Sequence, residues 1–233
     1  MSTPVTYQLD GSIATITMDD GKVNALSLQM LSELDGALDQ ARSDGAVVVF
    51  TGRPGVFSAG FDLAVLTGGG PESADMLRGG FELAERLLSF PTPVVVACSG
   101  HALAMGSFLL VSADFRIGVA GDRKIGANEV AIGLTMPRTA VELCRQRLAT
   151  PYLNRAVANA EIFSPEEAVT AGFLDRVVPP SELHHEARTA AVALAQLNLD
   201  AHAATKLRLR GHVLAAVRLA IEADDIDVRA MLA

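Results

Sequence analysis

The chain has 233 residues, half of them apolar and 20% charged, a composition that buries a real core and argues against disorder. Its formal net charge of −8 speaks against a general nucleic-acid binder, and no apolar run approaches the roughly 18 residues of a membrane span. Cys98 and Cys144 each sit in apolar sequence without metal-ligand spacing, so two reduced core thiols are expected in a cytoplasmic protein that opens without a leader peptide.

The first predicted elements are strands at 5–9 and 12–18, joined at Asp10-Gly11 and rich in β-branched residues. After Asp19-Asp20-Gly21, Ser27 is placed to cap a helix in which Leu31, Leu34, Leu38 and Ala41 recur at helical spacing, closed by Ser43-Asp44-Gly45. The continuous apolar run 46–51 reads as a strand buried on both faces. A Gly-rich segment, 67–73, precedes a helix over about 74–89, and Pro91-Thr92-Pro93 introduces a second buried strand at 94–98. Residues 102–113 are apolar on all sides, which predicts a helix or helical turn sunk in the core. From Pro137 onward the pattern is helical: 139–148, 152–158, then Ser164-Pro165-Glu166-Glu167 as cap, first-turn proline and acidic first turn, ended by Gly172. A short strand, 174–178, leads to Pro179-Pro180 and two longer helices, 182–197 and 202–223, whose apolar faces need the core or a neighbouring subunit. Basic residues cluster at Lys206, Arg208, Arg210 and Arg218 and again between Arg138 and Arg147; solvated helix faces are the expectation, with a phosphate site as the alternative. The whole is an α/β alternation without the G-x-G-x-x-G of a dinucleotide-binding fold.

Two segments share a design in which a buried strand runs into a turn of small residues that opens a helix. One is Gly55-Val56-Phe57-Ser58-Ala59-Gly60, the other Gly100-His101-Ala102-Leu103-Ala104-Met105-Gly106. Main-chain N–H groups in such turns lack helical partners and can converge on one oxygen atom, provided side chains are small enough to let it approach. Tight packing alone accounts for either turn taken separately.

The motifs N-A-L-S (24–27), F-S-A-G-F-D-L (57–63), P-V-V-V-A-C-S-G-H-A-L-A-M-G (93–106), A-D-F-R-I (113–117), N-E-V-A-I-G-L (128–134) and A-V-T-A-G-F-L-D-R-V-V (168–178) occur in family order and approximate spacing. In them the chain resembles the crotonase, or enoyl-CoA hydratase/isomerase, superfamily. That resemblance implies a spiral of ββα units over 1–179 holding an acyl-CoA site, and a helical region, 180–233, used in homotrimer or dimer-of-trimers assembly. CoA is then part of the substrate, with no metal or other cofactor and no nucleic-acid or membrane partner. Carried over by position, the thioester carbonyl lies between the N–H groups of Ala59 and Met105, and substrate contacts fall on Ala25, Gly60, Asp62, Leu63 and Phe108. Met105 stands where the family usually has the middle glycine of a triplet, so its side chain is expected to narrow the acyl pocket. Asp62 has an equal claim as the N-cap of the next helix.

Hydratases of this superfamily use two glutamates to position water. The position of the first is Phe108 here, and the second matches Glu129. A phenylalanine can neither orient water nor transfer a proton, whereas one carboxylate suffices to move a double bond. Asn128-Glu129 also resembles the mitochondrial-type Δ3,Δ2-enoyl-CoA isomerases, so isomerisation with Glu129 as the base is expected ahead of hydration, and a non-catalytic acyl-CoA binder is the rival from another class. Burial would raise the pKa of Glu129 toward that of a working base. Glu72, Asp75, Glu82 and Glu85 are candidates to replace the missing carboxylate, and His101 is expected to be packed rather than catalytic.

Overall fold

The computed structural model describes residues 3–232. The hairpin β1 (Val5–Asp10) and β2 (Ile13–Met18) is followed by α1 (Leu28–Ser43), whose N-cap Ser27 accepts the Met30 N–H at 3.2 Å and whose Leu31, Leu34, Leu38 and Ala41 are buried as their spacing predicts. The chain then repeats one figure. A strand of a first sheet leads directly to a strand of a second, and a helical segment follows. The pairs are β3 (Val47–Gly52) with β4 (Gly55–Ser58), then α2 (Leu63–Gly68) and α3 (Pro71–Ser89); β5 (Val94–Cys98) with β6 (Gly100–Leu103), then α4 (Met105–Ser112); and β7 (Phe115–Val119) with β8 (Ile125–Gly126), then α5 (Arg138–Arg145). Helices α6 (Thr150–Val157) and α7 (Pro165–Ala171) lead to β9 (Arg176–Val178), α8 (Leu183–Leu194) and α9 (Leu199–Leu232).

The first sheet has the order β1-β2-β3-β5-β7-β9, parallel except for the hairpin, and the second the order β4-β6-β8. This is the spiral of ββα units expected. The runs in β3 and β5 are apolar throughout because both faces are covered: Val48, Phe50, Val94 and Val96 join the main core, while Val47, Val49, Val95 and Ala97 meet Leu183, Ala187 and Ala191 of α8 on the far face. The cap, proline and capping box at Ser164-Glu167, and Gly172 at φ +101, form as read. No helix among the described residues is long and apolar enough to cross a membrane.

Three expectations need correction. The helical segment read over 102–113 is shorter, because 102–103 belong to β6 and α4 starts only at Met105, after Ala104 at φ +49 and ψ −127; a uniformly apolar run carries no period that would mark such a break. Helix α9 begins at Leu199 and continues past 223 to Leu232, its acidic end held by Arg138 and Arg78 through Asp224, Asp227 and Asp225. The basic cluster of α9 is not a solvated face throughout: Lys206 and Arg210 are buried at 4% and 6% exposure. Lys206 Nζ donates to Phe90 O, Thr92 O and Asp114 Oδ2, and Arg210 to Leu88 O, with an ion pair to Asp114 at 3.0 Å. These cations satisfy the carbonyls at the end of α3, which would otherwise lack partners, and fasten α9 across it.

Candidate active site

The N-A-L-S segment and the F-S-A-G turn are clipped together by two side chains. Asn24 is fully buried at φ +51; its Nδ2 donates to Met18 O (3.1 Å) and Phe57 O (3.0 Å), and its Oδ1 accepts the Asp20 N–H. Ser58 Oγ donates to Asn24 O at 2.8 Å and accepts the Gly60 N–H at 3.1 Å. Ala25 donates its N–H to Asp20 Oδ2 at 3.1 Å, and Leu26 donates to Gly60 O at 2.9 Å. The turn after β4 is therefore fixed residue by residue.

This bonding pattern determines which amides remain available. The Ala59 N–H, the expected first donor, is bonded to Val23 O at 3.0 Å, so Ala59 is corrected as a donor. The Gly60 N–H is taken by Ser58. The Phe61 N–H, next in line, has no acceptor among the described hydrogen bonds, and neither does the Met105 N–H at the start of α4. The two turns touch: a Cβ placed on Gly60 would lie 2.8 Å from the Ala104 Cβ and 3.3 Å from the Met105 nitrogen, and one on Gly106 would lie 2.4 Å from Ser58 O. Small residues are thus required for contact between the turns as well as for ligand approach.

Glu129 follows β8, which runs beside the second turn. Gly126 pairs in register with Leu103 and accepts the Ala104 N–H at 3.1 Å, and three residues later the chain turns through Val130–Ile132, with Glu129 O accepting from Ile132 (3.1 Å) and Leu134 (2.9 Å). Glu129 is 7% exposed, and its Oε2 has no hydrogen-bond partner among the described residues. Burial drives its carboxyl up to about 7 against the lowering effect of its own backbone N–H. Asn128 Oδ1 is likewise buried without a partner. Cys144 of α5 is close enough for the Glu129 charge to add to the burial that raises its thiol pKa. A buried carboxylate without a countercharge and with a free oxygen is suited to take up a proton and give it back.

The remaining predicted residues fall as follows. Phe108 is buried, and its ring follows that of Phe81 at 6.4 Å between centroids, which in turn meets Phe61 edge-on at 5.9 Å. The Met105 side chain lies wholly within the main core. Asp62 caps α2, its Oδ1 accepting from Ala64 at 2.9 Å, and Leu63 is 61% exposed. Asp75, Glu82 and Glu85 are occupied in ion pairs with Arg229, Arg78 and Arg218 on the α3–α9 surface, and Glu72 is exposed. His101 Nδ1 accepts the Lys124 N–H at 3.0 Å, and burial followed by the charge of Arg123 lowers its pKa, as fits a packed neutral imidazole. Among the described residues no group of three or more His, Cys, Asp or Glu is placed to hold a metal. A groove of about 460 Å³ between α5 and α9, lined by Met136, Val141 and Leu219 among others, contains none of the groups above.

Sequence reasoning missed Phe61, Cys144 and the clamp role of Asn24. An asparagine flanked by strand and helix signals is a plausible left-handed residue, so Asn24 had a signal. Which amide of a turn is left free depends on an acceptor in another segment, so Phe61 had none.

The sequence matches the enoyl-CoA hydratase/isomerase family model over residues 8–227. A mouse (Mus musculus) relative, mitochondrial enoyl-CoA delta isomerase 1, is 32% identical over 183 residues, 76% of this chain; the match spans 63% of that relative, less than two thirds of its length. Among solved structures, an enoyl-CoA hydratase/isomerase family protein from Pseudomonas syringae is 48% identical with a TM-score of 0.94, covering 95% of this chain and 96% of that one. A Mycobacterium tuberculosis protein, described as an enoyl-CoA isomerase in one solved structure and as a probable enoyl-CoA hydratase in another, is 50% identical with a TM-score of 0.92, the first structure covering 95% of this chain and 97% of that one.

Proposed function

The chain belongs to the enoyl-CoA hydratase/isomerase enzyme family, and from that premise we propose that it moves the double bond of an enoyl-CoA thioester with Glu129 as the single base. Glu129 takes a proton from carbon 2 of a 3-enoyl-CoA, the electron pair delocalises onto the thioester oxygen, and the same carboxyl returns the proton to carbon 4. The Phe61 and Met105 N–H groups hold the oxygen as charge builds on it, each contributing about 3 to 4 kcal/mol of barrier lowering. Ala59 keeps a structural part in this reading, since its bond to Val23 aims the following peptide.

The observation that carries the proposal is the solitary state of Glu129. It is buried, its Oε2 is free, and the position from which a second carboxylate would act is Phe108, 1% exposed and packed in an aromatic row. Hydration needs a second polar group to orient water; a proton shuttle does not. Assaying trans-2-enoyl-CoA and 3-enoyl-CoA side by side tests this: isomer should form from the latter faster than 3-hydroxyacyl-CoA forms from the former. Faster hydration would replace the isomerase by a hydratase, and tight acyl-CoA binding without turnover would leave a binding protein.

Homotrimer formation belongs to the same reading. Leu209, Leu219 and Ile226 of α9 are 79%, 74% and 66% exposed, an apolar surface suited to association. Light scattering on the eluting protein should give three times the mass of the chain; a monomer would remove this part.

A further inference from the structure

Phe61 occupies an unusual position: it carries one of the two N–H groups read as donors to the thioester oxygen, and its ring reaches across to α3. At the far end of the ring is Gly80, buried in the middle of α3. A Cβ built on Gly80 would lie 2.3 Å from Phe61 Cε1 and 2.5 Å from Cζ. Such distances are impossible for real atoms, so only glycine lets the ring lie where it does. A glycine inside a helix costs about 1 kcal/mol relative to alanine, and neither left-handed φ nor a contact with another backbone accounts for Gly80. The ring also meets Phe81, the next residue of α3, edge-on.

We propose that Gly80 is a positioning residue for the oxyanion site, a notch that seats the Phe61 ring and thereby orients the Phe61 N–H. The proposal rests on the reading of Phe61 as a donor. The backbone around Phe61 is held unequally. Before it, Gly60 O accepts from Leu26 at 2.9 Å; after it, the Asp62 N–H reaches Leu26 O only at 3.4 Å. The Gly60–Phe61 peptide, which carries this N–H, is thus bonded firmly through Gly60 O, the Phe61–Asp62 peptide after it only weakly, and the seated ring fixes the Phe61 Cα between them. A methyl group in the notch must displace the ring, and since the ring is half-buried at the end of a rotatable side chain, it can move while the fold persists. The Phe61 Cα then shifts on the weakly held side, and the Gly60–Phe61 peptide tilts about its bond to Leu26, carrying the Phe61 N–H with it.

The direct test is Gly80→Ala, with Phe61→Leu and the double variant beside it. Infrared difference spectra of ¹³C-carbonyl butyryl-CoA, a saturated thioester that cannot turn over, report the hydrogen bonds to the carbonyl, and steady-state assay with 3-enoyl-CoA gives kcat and KM separately. Gly80→Ala should lower kcat about 10- to 100-fold, the scale set by ångström misplacement of a catalytic group, with KM within about twofold. It should also shrink the red shift of the bound carbonyl. In the Phe61→Leu background, where the shorter side chain does not reach the notch, Gly80→Ala should have no further effect on either readout.

An unchanged kcat and carbonyl shift in Gly80→Ala overturns the proposal, as does an equal loss in the Phe61→Leu background, which would mean that Gly80 acts through something other than this ring. Should Gly80→Ala fail to fold, Phe61→Leu alone decides, because it empties the notch from the opposite side: a reduced carbonyl shift supports the seat and an unchanged one removes it. Absence of any carbonyl shift in the unaltered protein would instead count against Phe61 and Met105 as donors, and so separates failure of the functional reading from failure of this one.

Discussion

Gly60 lies so close to Met105 that a Cβ on the glycine would stand 3.3 Å from the Met105 nitrogen, within the contact that holds the two turns together. Gly60 also has φ +95, where L side chains are strained. Gly60→Ala should therefore be costly twice: a loss of about 1–3 kcal/mol in stability from backbone strain, and a fall of about 100-fold in kcat as the Met105 amide is pushed aside. Urea unfolding and steady-state kinetics on the same preparation check both, and an unperturbed kcat would dissociate this contact from the chemistry.

The pH dependence follows from Glu129. Its carboxyl is held up at about 7, and only the ionised form can accept a proton, so kcat/KM should climb about tenfold per pH unit below 7 and level off above it. Stability should run the other way. A carboxyl whose pKa is raised on folding keeps its proton in the native state while the unfolded chain has already lost it. Between about 4.5 and 7 stability therefore declines as pH rises, by roughly 3 kcal/mol in all, and stays at the lower value above. In Glu129→Gln this component of the decline should vanish together with turnover. Melting temperatures of the two proteins from pH 5 to 8.5 that ran parallel would argue against a buried, elevated carboxyl.

Asp114 faces two buried cations, Lys206 and Arg210, at 2.6 and 3.0 Å. Its removal leaves both buried charges without a counterion. Asp114→Ala should destabilise the protein by about 3–5 kcal/mol, measured by chemical denaturation. A change below about 1 kcal/mol would mean that the carbonyls of Leu88, Phe90 and Thr92 are sufficient partners alone.

Ala104 sits at φ +49 and ψ −127, a conformation that suits glycine, at the joint between β6 and α4. Ala104→Gly should relieve the strain and stabilise the protein by about 1 kcal/mol while leaving kcat within about twofold, because the Ser107 and Phe108 N–H bonds to Ala104 O do not involve the side chain. Differential scanning calorimetry with a kinetic assay decides; a destabilised variant would show that the Ala104 methyl is needed for packing against Gly60.

Much of the fold is legible in the sequence because the signals are local. Ser27 announces α1, Ser164 to Glu167 announce α7, and the uninterrupted valines of β3 and β5 announce burial on both faces. Glu129 is singled out by its motif, but its burial is not announced by that motif, since Val130, Ile132 and Leu134 beside it are 42%, 53% and 48% exposed. Which amide of the first turn stays free is not legible, since Ala59 and Phe61 differ only in whether a carbonyl from Val23 happens to lie opposite. Nor is the fate of Lys206 and Arg210, because a cation spaced along an amphipathic helix looks the same whether it meets water or the carbonyl ends of another helix.

The single-base shuttle is tested most directly by a 3-enoyl-CoA carrying deuterium at both carbon 2 positions, incubated in ordinary water, with the 2-enoyl-CoA product examined for deuterium at carbon 4. If one buried carboxyl removes and returns the hydron, part of the label should arrive at carbon 4, and Glu129→Gln should form no product. Rapid isomerisation that persists in Glu129→Gln, or 3-hydroxyacyl-CoA as the main product from the 2-enoyl ester, would contradict it.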